Sequence, residues 1–208
     1  DRDTVYVNTN LGCVAAVSSG DGRVRWISLY PRAGKGDLLQ PPAHRSRDLN
    51  PCLFDRGRLL VAPRDNPRIL CLDAGSGQII WQSGTEVADV VHLLGVSGDN
   101  LIASGHSVYW IGLADDEAGK VRHVWPSGDD KLGYGRGVLA GDFLYWPTRD
   151  KIYVFDHATG RLRREIPLRP RGVGGGNLLV AGGRLLIAGA NELIGMDRQG
   201  RAGEGAEP

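Results

Sequence analysis

The sequence has no apolar stretch near the roughly 20 residues that a membrane-crossing helix needs. Its first residues, Asp1-Arg2-Asp3-Thr4, carry neither an initiator methionine nor a signal-peptide pattern, so the chain reads as an internal segment. An excess of one charge is missing too. Lys and Arg number 25 against 24 Asp and Glu, which removes any electrostatic reason to expect nucleic acid or an anionic membrane as partner. Cysteine is scarce, with Cys13, Cys52 and Cys71 only, and no CxxC pair, which argues against a zinc site or a thioredoxin-type centre. Each lies in an apolar run and reads as a small buried hydrophobe; one disulfide with an odd thiol is the alternative. A helical hydrophobic period is nowhere convincing.

What the sequence does have is glycine. Its 31 residues are about twice the usual share of ~7%. With no collagen period, so many glycines imply many tight turns and hence many short strands. Hydrophobic residues at 41% and charged residues at 24% are ordinary for a globular chain, so disorder is not expected.

A unit of about forty residues repeats. Its clearest copy is Ile69-Leu-Cys-Leu-Asp73-Ala-Gly-Ser-Gly77-Gln-Ile-Ile-Trp81. Others run Val14 to Trp26, with Ser18 for the Asp, and Ile152 to Arg163, with Asp156, Thr159 and Gly160. Looser copies surround Gly119 and Gly200. Two further apolar runs precede most copies: Gly57 to Ala62 after Pro51 to Phe54, Asp99 to Ser104 after Val90 to Val96, Asp142 to Trp146 after Gly137 to Ala140, and Gly183 to Ala188 after Asn177 to Ala181. Each unit therefore reads as strand, turn, strand, turn, strand, Gly turn, strand. This is an all-β β-propeller of about five four-stranded blades, the first and last incomplete, at about 1–30, 50–84, 89–126, 134–168 and 174–202. A Pro- and Gly-rich loop, 31–49, lies between the first two. The Asp before each turn can accept turn amides, and the Gly can take a positive φ. Trp26 and Trp81, four residues past their glycines, are placed on outer strands, where each can wedge against the next blade while its indole N–H finds a partner.

Cys71-Leu-Asp73-Ala-Gly-Ser-Gly77-Gln-Ile-Ile-Trp81 is similar to the Ala-x-Asp-x-x-Thr-Gly-x-x-x-Trp signature of PQQ-like propeller repeats, with Cys for Ala and Ser for Thr. Val154-Phe-Asp156-His-Ala-Thr159-Gly160 keeps the Asp, Thr and Gly but lacks the Trp. The resemblance spans nearly the whole chain. It implies closure with seven or eight blades, so blades beyond those in this sequence are expected. It also implies a periplasmic or cell-surface setting in a bacterium. The family includes PQQ-dependent alcohol and glucose dehydrogenases and a non-enzymatic lipoprotein of outer-membrane β-barrel assembly. The alcohol dehydrogenases hold PQQ against an adjacent-cysteine disulfide, with calcium on Glu, Asn and Asp. This chain has no Cys-Cys pair and no acidic residue clearly placed with an Asn on an axial loop. No cofactor is therefore expected, PQQ with calcium belonging only to the alternative of a quinoprotein dehydrogenase fragment. The leading expectation is a non-catalytic binding or scaffold module; a purely structural repeat segment is the third reading.

Aligning the inner strands puts polar residues at their starts, where a ligand or partner protein would be read. These are Asn50, His92, Tyr134, Arg136 and Asn177, with Asp48 beside them. Each can equally cap a strand end or bind channel water. No Ser or Cys nucleophile accompanies His92 recognisably, so no catalytic residue is assigned. Asp115-Asp116-Glu117 and Asp129-Asp130-Lys131 read as solvated turns rather than calcium loops. Gly133 to Gly137 and Gly172 to Asn177 lack the following helix that would supply a phosphate site. The 31–50 segment carries Arg32, Lys35, His44, Arg45 and Arg47 against Asp37 and Asp48; it reads as a solvated insertion, or as a basic surface loop for an acidic partner.

Overall fold

The structure, a computed structural model, describes residues 3–34, 43–47, 50–127 and 132–196. Among these, eighteen strands form five antiparallel sheets in chain order. Sheet one holds β1 (Thr4–Asn8), β2 (Cys13–Ser18) and β3 (Val24–Leu29). Sheet two holds β4 (Leu53–Asp55), β5 (Arg58–Val61), β6 (Leu70–Asp73) and β7 (Ile79–Gln82). Sheet three holds β8 (His92–Ser97), β9 (Asn100–Ser104), β10 (Val108–Gly112) and β11 (Val121–Trp125). Sheet four holds β12 (Val138–Ala140), β13 (Phe143–Pro147), β14 (Lys151–Asp156) and β15 (Leu162–Pro167). Sheet five holds β16 (Asn177–Ala181), β17 (Arg184–Ala188) and β18 (Leu193–Met196). These are the blades of a partial β-propeller. Beside the four-stranded sheets, the described residues give sheet one no inner strand and sheet five no outer one.

The core is divided into four layers, one between each pair of neighbouring blades. Val14, Leu59, Val61, Leu70 and Leu72 fill the first, and Leu60, Ile69, Cys71, Leu93, Leu101 and Ile111 the second. Ile102, Trp110, Leu144, Trp146 and Phe155 fill the third, and Ile152, Leu168, Leu178 and Ile187 the fourth. Each sheet thus buries its apolar side chains only against its neighbours, at ~1.5–3 kcal/mol for each fully buried aliphatic or Phe side chain.

The repeated turn explains the spacing of the repeated residues. Asp73 Oδ1 accepts the Ser76 amide and hydroxyl, both at 2.7 Å, and the Gly77 amide closes on the Asp73 carbonyl at 2.8 Å. Asp156, Thr159 and Gly160 make the same contacts at 2.9 Å. Hydrogen bonds from Ser76 hold the Asp73 carboxyl below its usual range; Asp156 is held down first by Arg163 and then by Thr159. Every outer strand that follows such a turn carries a bulge at the third residue after the glycine: Arg25, Ile80, Arg122 and Arg163. The extra residue turns the fourth one, Trp26, Trp81, His123 or Arg164, opposite Ala16, Cys71, Trp110 or Val154. There the first three rings lie on the turn glycine of the following blade: Trp26 on Gly77, Trp81 on Gly119, His123 on Gly160. A Cβ on Gly77 would sit 2.5 Å from Trp26 Cε3.

Two expectations need correction. Trp26 Nε1 donates to the Ala74 carbonyl at 3.1 Å, but Trp81 Nε1 is buried without a partner. The turn of sheet three, against which Trp81 packs, is longer and holds a 3-10 turn at Asp115–Glu117. The 31–50 segment is also not simply a basic surface loop. Arg47 is 1% exposed and His44 5%. The Arg47 guanidinium donates to six backbone carbonyls, including Val90 (2.6 Å), Asn66 (2.9 Å) and Val87 (3.1 Å), and so ties the segment to the second and third blades. Burial pushes its pKa down to about 10, which leaves it charged at neutral pH. Arg32 pairs with Asp65 at 3.0 Å. Lys35, Asp37, Asp48 and the side chain of Arg45 lie outside the described residues.

Candidate functional site

The inner strands β4, β8, β12 and β16 lie beside one another in order. Their starts carry the sequence-predicted residues, and the structure links most of these into one belt across four blades. Asn50 Oδ1 accepts the Leu93 amide at 3.1 Å. The Leu93 carbonyl accepts Arg136 Nη2 at 3.3 Å. Asn177 Oδ1 accepts the Arg136 amide at 2.8 Å, and the Arg136 carbonyl accepts the Leu178 amide at 2.8 Å. Polar side chains are needed at most of these places because strands splayed around an axis cannot pair backbone to backbone along their length, and orphaned amides are costly.

His92 opens β8, half-buried beside this belt. Burial, and next the Arg136 charge, push its pKa down to about 4, so its imidazole is neutral at neutral pH. Tyr134 stands apart from the belt. It is 45% exposed, and the Arg149 guanidinium carbon lies 5.3 Å over its ring. The backbone brings the pair together: the Tyr134 amide donates to the Pro147 carbonyl at 3.1 Å, and Gly133 bridges Thr148. Asp48 lies outside the described residues.

Sequence reasoning missed Arg149. It is fifteen positions from Tyr134, in the turn between β13 and β14, and no spacing rule links the two. It also missed His157, which joins blades three and four. Ser97 Oγ contacts its Nδ1 at 2.6 Å, its Nε2 contacts the Gly141 carbonyl at 2.9 Å, and its own carbonyl accepts Trp110 Nε1 at 2.8 Å. The carbonyl requires a proton on Nε2, which makes Nδ1 the acceptor of the serine hydroxyl. This histidine is therefore a bracket between blades.

Among the described residues no group of three or more His, Cys, Asp or Glu converges on one point. The three cysteines are free thiols, and burial pushes Cys52 up to about 11 and Cys71 up to about 12, which makes both unreactive. Asp129, Asp130 and Lys131 lie outside the described residues.

Stacked antiparallel sheets of up to four strands, the Asp–Gly turn of the second and fourth repeats and inner strands tied around an axis define a PQQ-like β-propeller repeat protein. The chain belongs to the family described as outer membrane protein assembly factor BamB, whose model matches residues 68–202. No curated protein matches the sequence. Among solved structures it is similar to BamB from Moraxella catarrhalis, with a TM-score of 0.65 and 16% identity over 94% of this chain and 55% of that one. It is similar as well to quinohemoprotein alcohol dehydrogenase from Comamonas testosteroni, with a TM-score of 0.65 and 15% identity over 94% of this chain and 40% of that one. The computationally designed Ika8 protein matches with a TM-score of 0.59 and 12% identity, over 89% of this chain and 52% of that one. These likenesses share the fold. The chain spans about half the length of the structures it matches. No helix among its described residues is long and apolar enough to cross a membrane.

Proposed function

We propose that this chain is a non-catalytic binding module that reads a partner protein at the axial mouth, where the inner strands begin. One observation carries the reading: an exposed tyrosine, Tyr134, with Arg149 stacked on it, lies two residues before Arg136 of the braced belt of polar side chains. Tyr and Arg are the residue types that most often anchor protein interfaces, because they bury large area at low entropic cost. The belt, Asn50, Arg136 and Asn177, braces the inner strands against one another. His92, neutral and half-buried, offers the partner a polar edge without a charge. A bacterial periplasmic or cell-surface setting fits the family's description as an outer membrane assembly factor.

The test is quantitative capture from a bacterium expressing the full-length protein, comparing wild type with a Tyr134→Ala, Arg149→Ala double variant. Neither side chain supports the belt, so the fold should survive. A partner enriched by wild type and depleted at least tenfold with the variant is the expected result. Equal capture by both would refute the mouth as the reading surface.

A further inference from the structure

The chain as a whole is nearly neutral, with 25 Lys and Arg against 24 Asp and Glu, but one end of sheet four is not. Strands β12 to β15 run antiparallel in order, so the entry to β12, the β13–β14 turn and the exit from β15 all lie at that end, the axial mouth. They bring Arg136, Arg149, Lys151, Arg169 and Arg171 to one side of the blade. Backbone bonds fix the arrangement. The Leu168 amide donates to the Asp150 carbonyl at 2.8 Å, the Gly175 amide to the Arg149 carbonyl at 3.1 Å, and the Tyr134 amide to the Pro147 carbonyl at 3.1 Å.

Carboxylates answer two of these cations. Arg169 pairs with Asp150 at 2.7 Å, and Lys151 with Glu165 at 2.6 Å. The others have neutral partners. Arg136 donates to the Leu93 carbonyl, Arg171 donates to the Pro167 carbonyl, and Arg149 lies over the Tyr134 ring. Among the described residues no carboxylate pairs with any of these three. The corresponding end of sheet two differs, because Asp65, Glu86 and Asp89 stand among its cations and Arg32 is paired with Asp65 at 3.0 Å. Blade four also leaves room. Gly172 and Gly174 are exposed, and a Cβ on either would meet nothing within 4 Å, so another chain can lie close against the backbone there.

The number of unanswered cations selects the partner's chemistry. A nucleic-acid binder typically neutralises about 6–10 phosphates. An anionic membrane draws clusters of about 4–8 basic residues. Three guanidiniums around one exposed tyrosine suit a short protein segment with about two or three carboxylates, each able to accept paired N–H bonds from an arginine.

We propose that the mouth of blade four takes an acidic segment of the partner protein, with its carboxylates on Arg149 and Arg171 and its backbone beside Gly172 and Gly174. This rests on the reading of the mouth as the partner-binding surface and adds the chemistry the partner brings.

The probe is a dye-labelled peptide with three glutamates separated by serines, titrated by fluorescence anisotropy against the full-length protein at about 50 mM salt, where charge pairs are weakly screened. Saturable one-to-one binding is expected. It should be at least tenfold weaker when glutamine replaces each glutamate, and at least tenfold weaker with the Arg149→Gln, Arg171→Gln double variant. The Arg149→Lys, Arg171→Lys double variant should bind at least threefold better than the glutamine one, which a general loss of fold would not allow. Arg161→Gln, in the turn at the opposite end of the blade, should bind within twofold of wild type. Refusal of the peptide while a partner is still captured through Tyr134 and Arg149 would overturn the acidic segment and leave the mouth reading standing. Equal binding of the glutamine peptide would overturn it as well. So would binding that emerges only after Asp129→Asn and Asp130→Asn, since these acids lie just before Tyr134 in the sequence and would then be answering the cations from within. So would tighter binding of an oligothymidylate of equal charge.

Discussion

Gly57 and Gly77 have nearly the same backbone, with φ of +78° and +76°, in different surroundings. A Cβ on Gly57 would meet nothing within 4 Å, whereas a Cβ on Gly77 would overlap the Trp26 ring. An L side chain in the left-handed region costs about 1 kcal/mol, and both substitutions to alanine bear that cost. At Gly77 the indole must also move, which strains the blade contact and lengthens the Trp26–Ala74 hydrogen bond. Overpacking of this kind adds about 1–3 kcal/mol. Gly57→Ala should therefore destabilise by about 1 kcal/mol and Gly77→Ala by about 2–4 kcal/mol. With a urea slope of about 2 kcal/mol/M, the midpoints fall by about 0.5 M and about 1–2 M. Urea denaturation followed by tryptophan fluorescence measures both. In a Trp26→Ala background the alanine at position 77 should become as mild as the one at 57. Equal losses for the two glycines in the native background would refute the claim that the outer-strand aromatic seats on the next blade's turn.

Other outcomes follow from the same geometry. Arg47→Met removes the donor for six carbonyls, several of them deeply buried, and should cost about 3–5 kcal/mol in the same denaturation assay, a scale typical of breaking a buried charged network; a loss under about 1 kcal/mol would place Arg47 at the surface. The folded pKa of His92, about 4, is below its ordinary value of 6.5, so the unfolded chain binds more protons between those limits. Stability should rise as pH goes from 4 to 6.5, and His92→Gln should flatten that rise in thermal melts. Ser97→Ala removes the donor to His157 Nδ1 and should cost about 1–2 kcal/mol, with chemical-shift changes confined to blades three and four.

The repeat was legible because its parts are local. The Asp-x-x-Ser/Thr-Gly turn closes within five residues, and the alternation of short apolar runs marks each strand. The position of Trp26 was legible for the same reason, since four residues past the glycine is a fixed distance once the bulge is present. The bulge itself went unread: three of its four residues, Arg25, Arg122 and Arg163, are arginine, but an exposed arginine carries no bulge signal and Ile80 stands at the fourth place. Arg47 was misread because a sequence shows its charge and not the six carbonyls brought to it from residues 63–90. The missing partner of Trp81 lies in a contact with the next blade, beyond the reach of local spacing. In the candidate site, Asn50, Arg136 and Asn177 could be placed by aligning inner strands. Their links through Leu93, and the stacking of Arg149 on Tyr134, arise from contacts between blades that no spacing encodes.

A partner read at the axial mouth comes within reach of Tyr134. A photo-crosslinking residue placed at Tyr134, in the full-length protein expressed in a bacterium, tests it most directly beside a control at Arg163 on the outer strand of the same blade. A discrete crosslinked protein is expected from position 134 and none from 163. The same adduct from both positions, or an adduct from 163 alone, would contradict it.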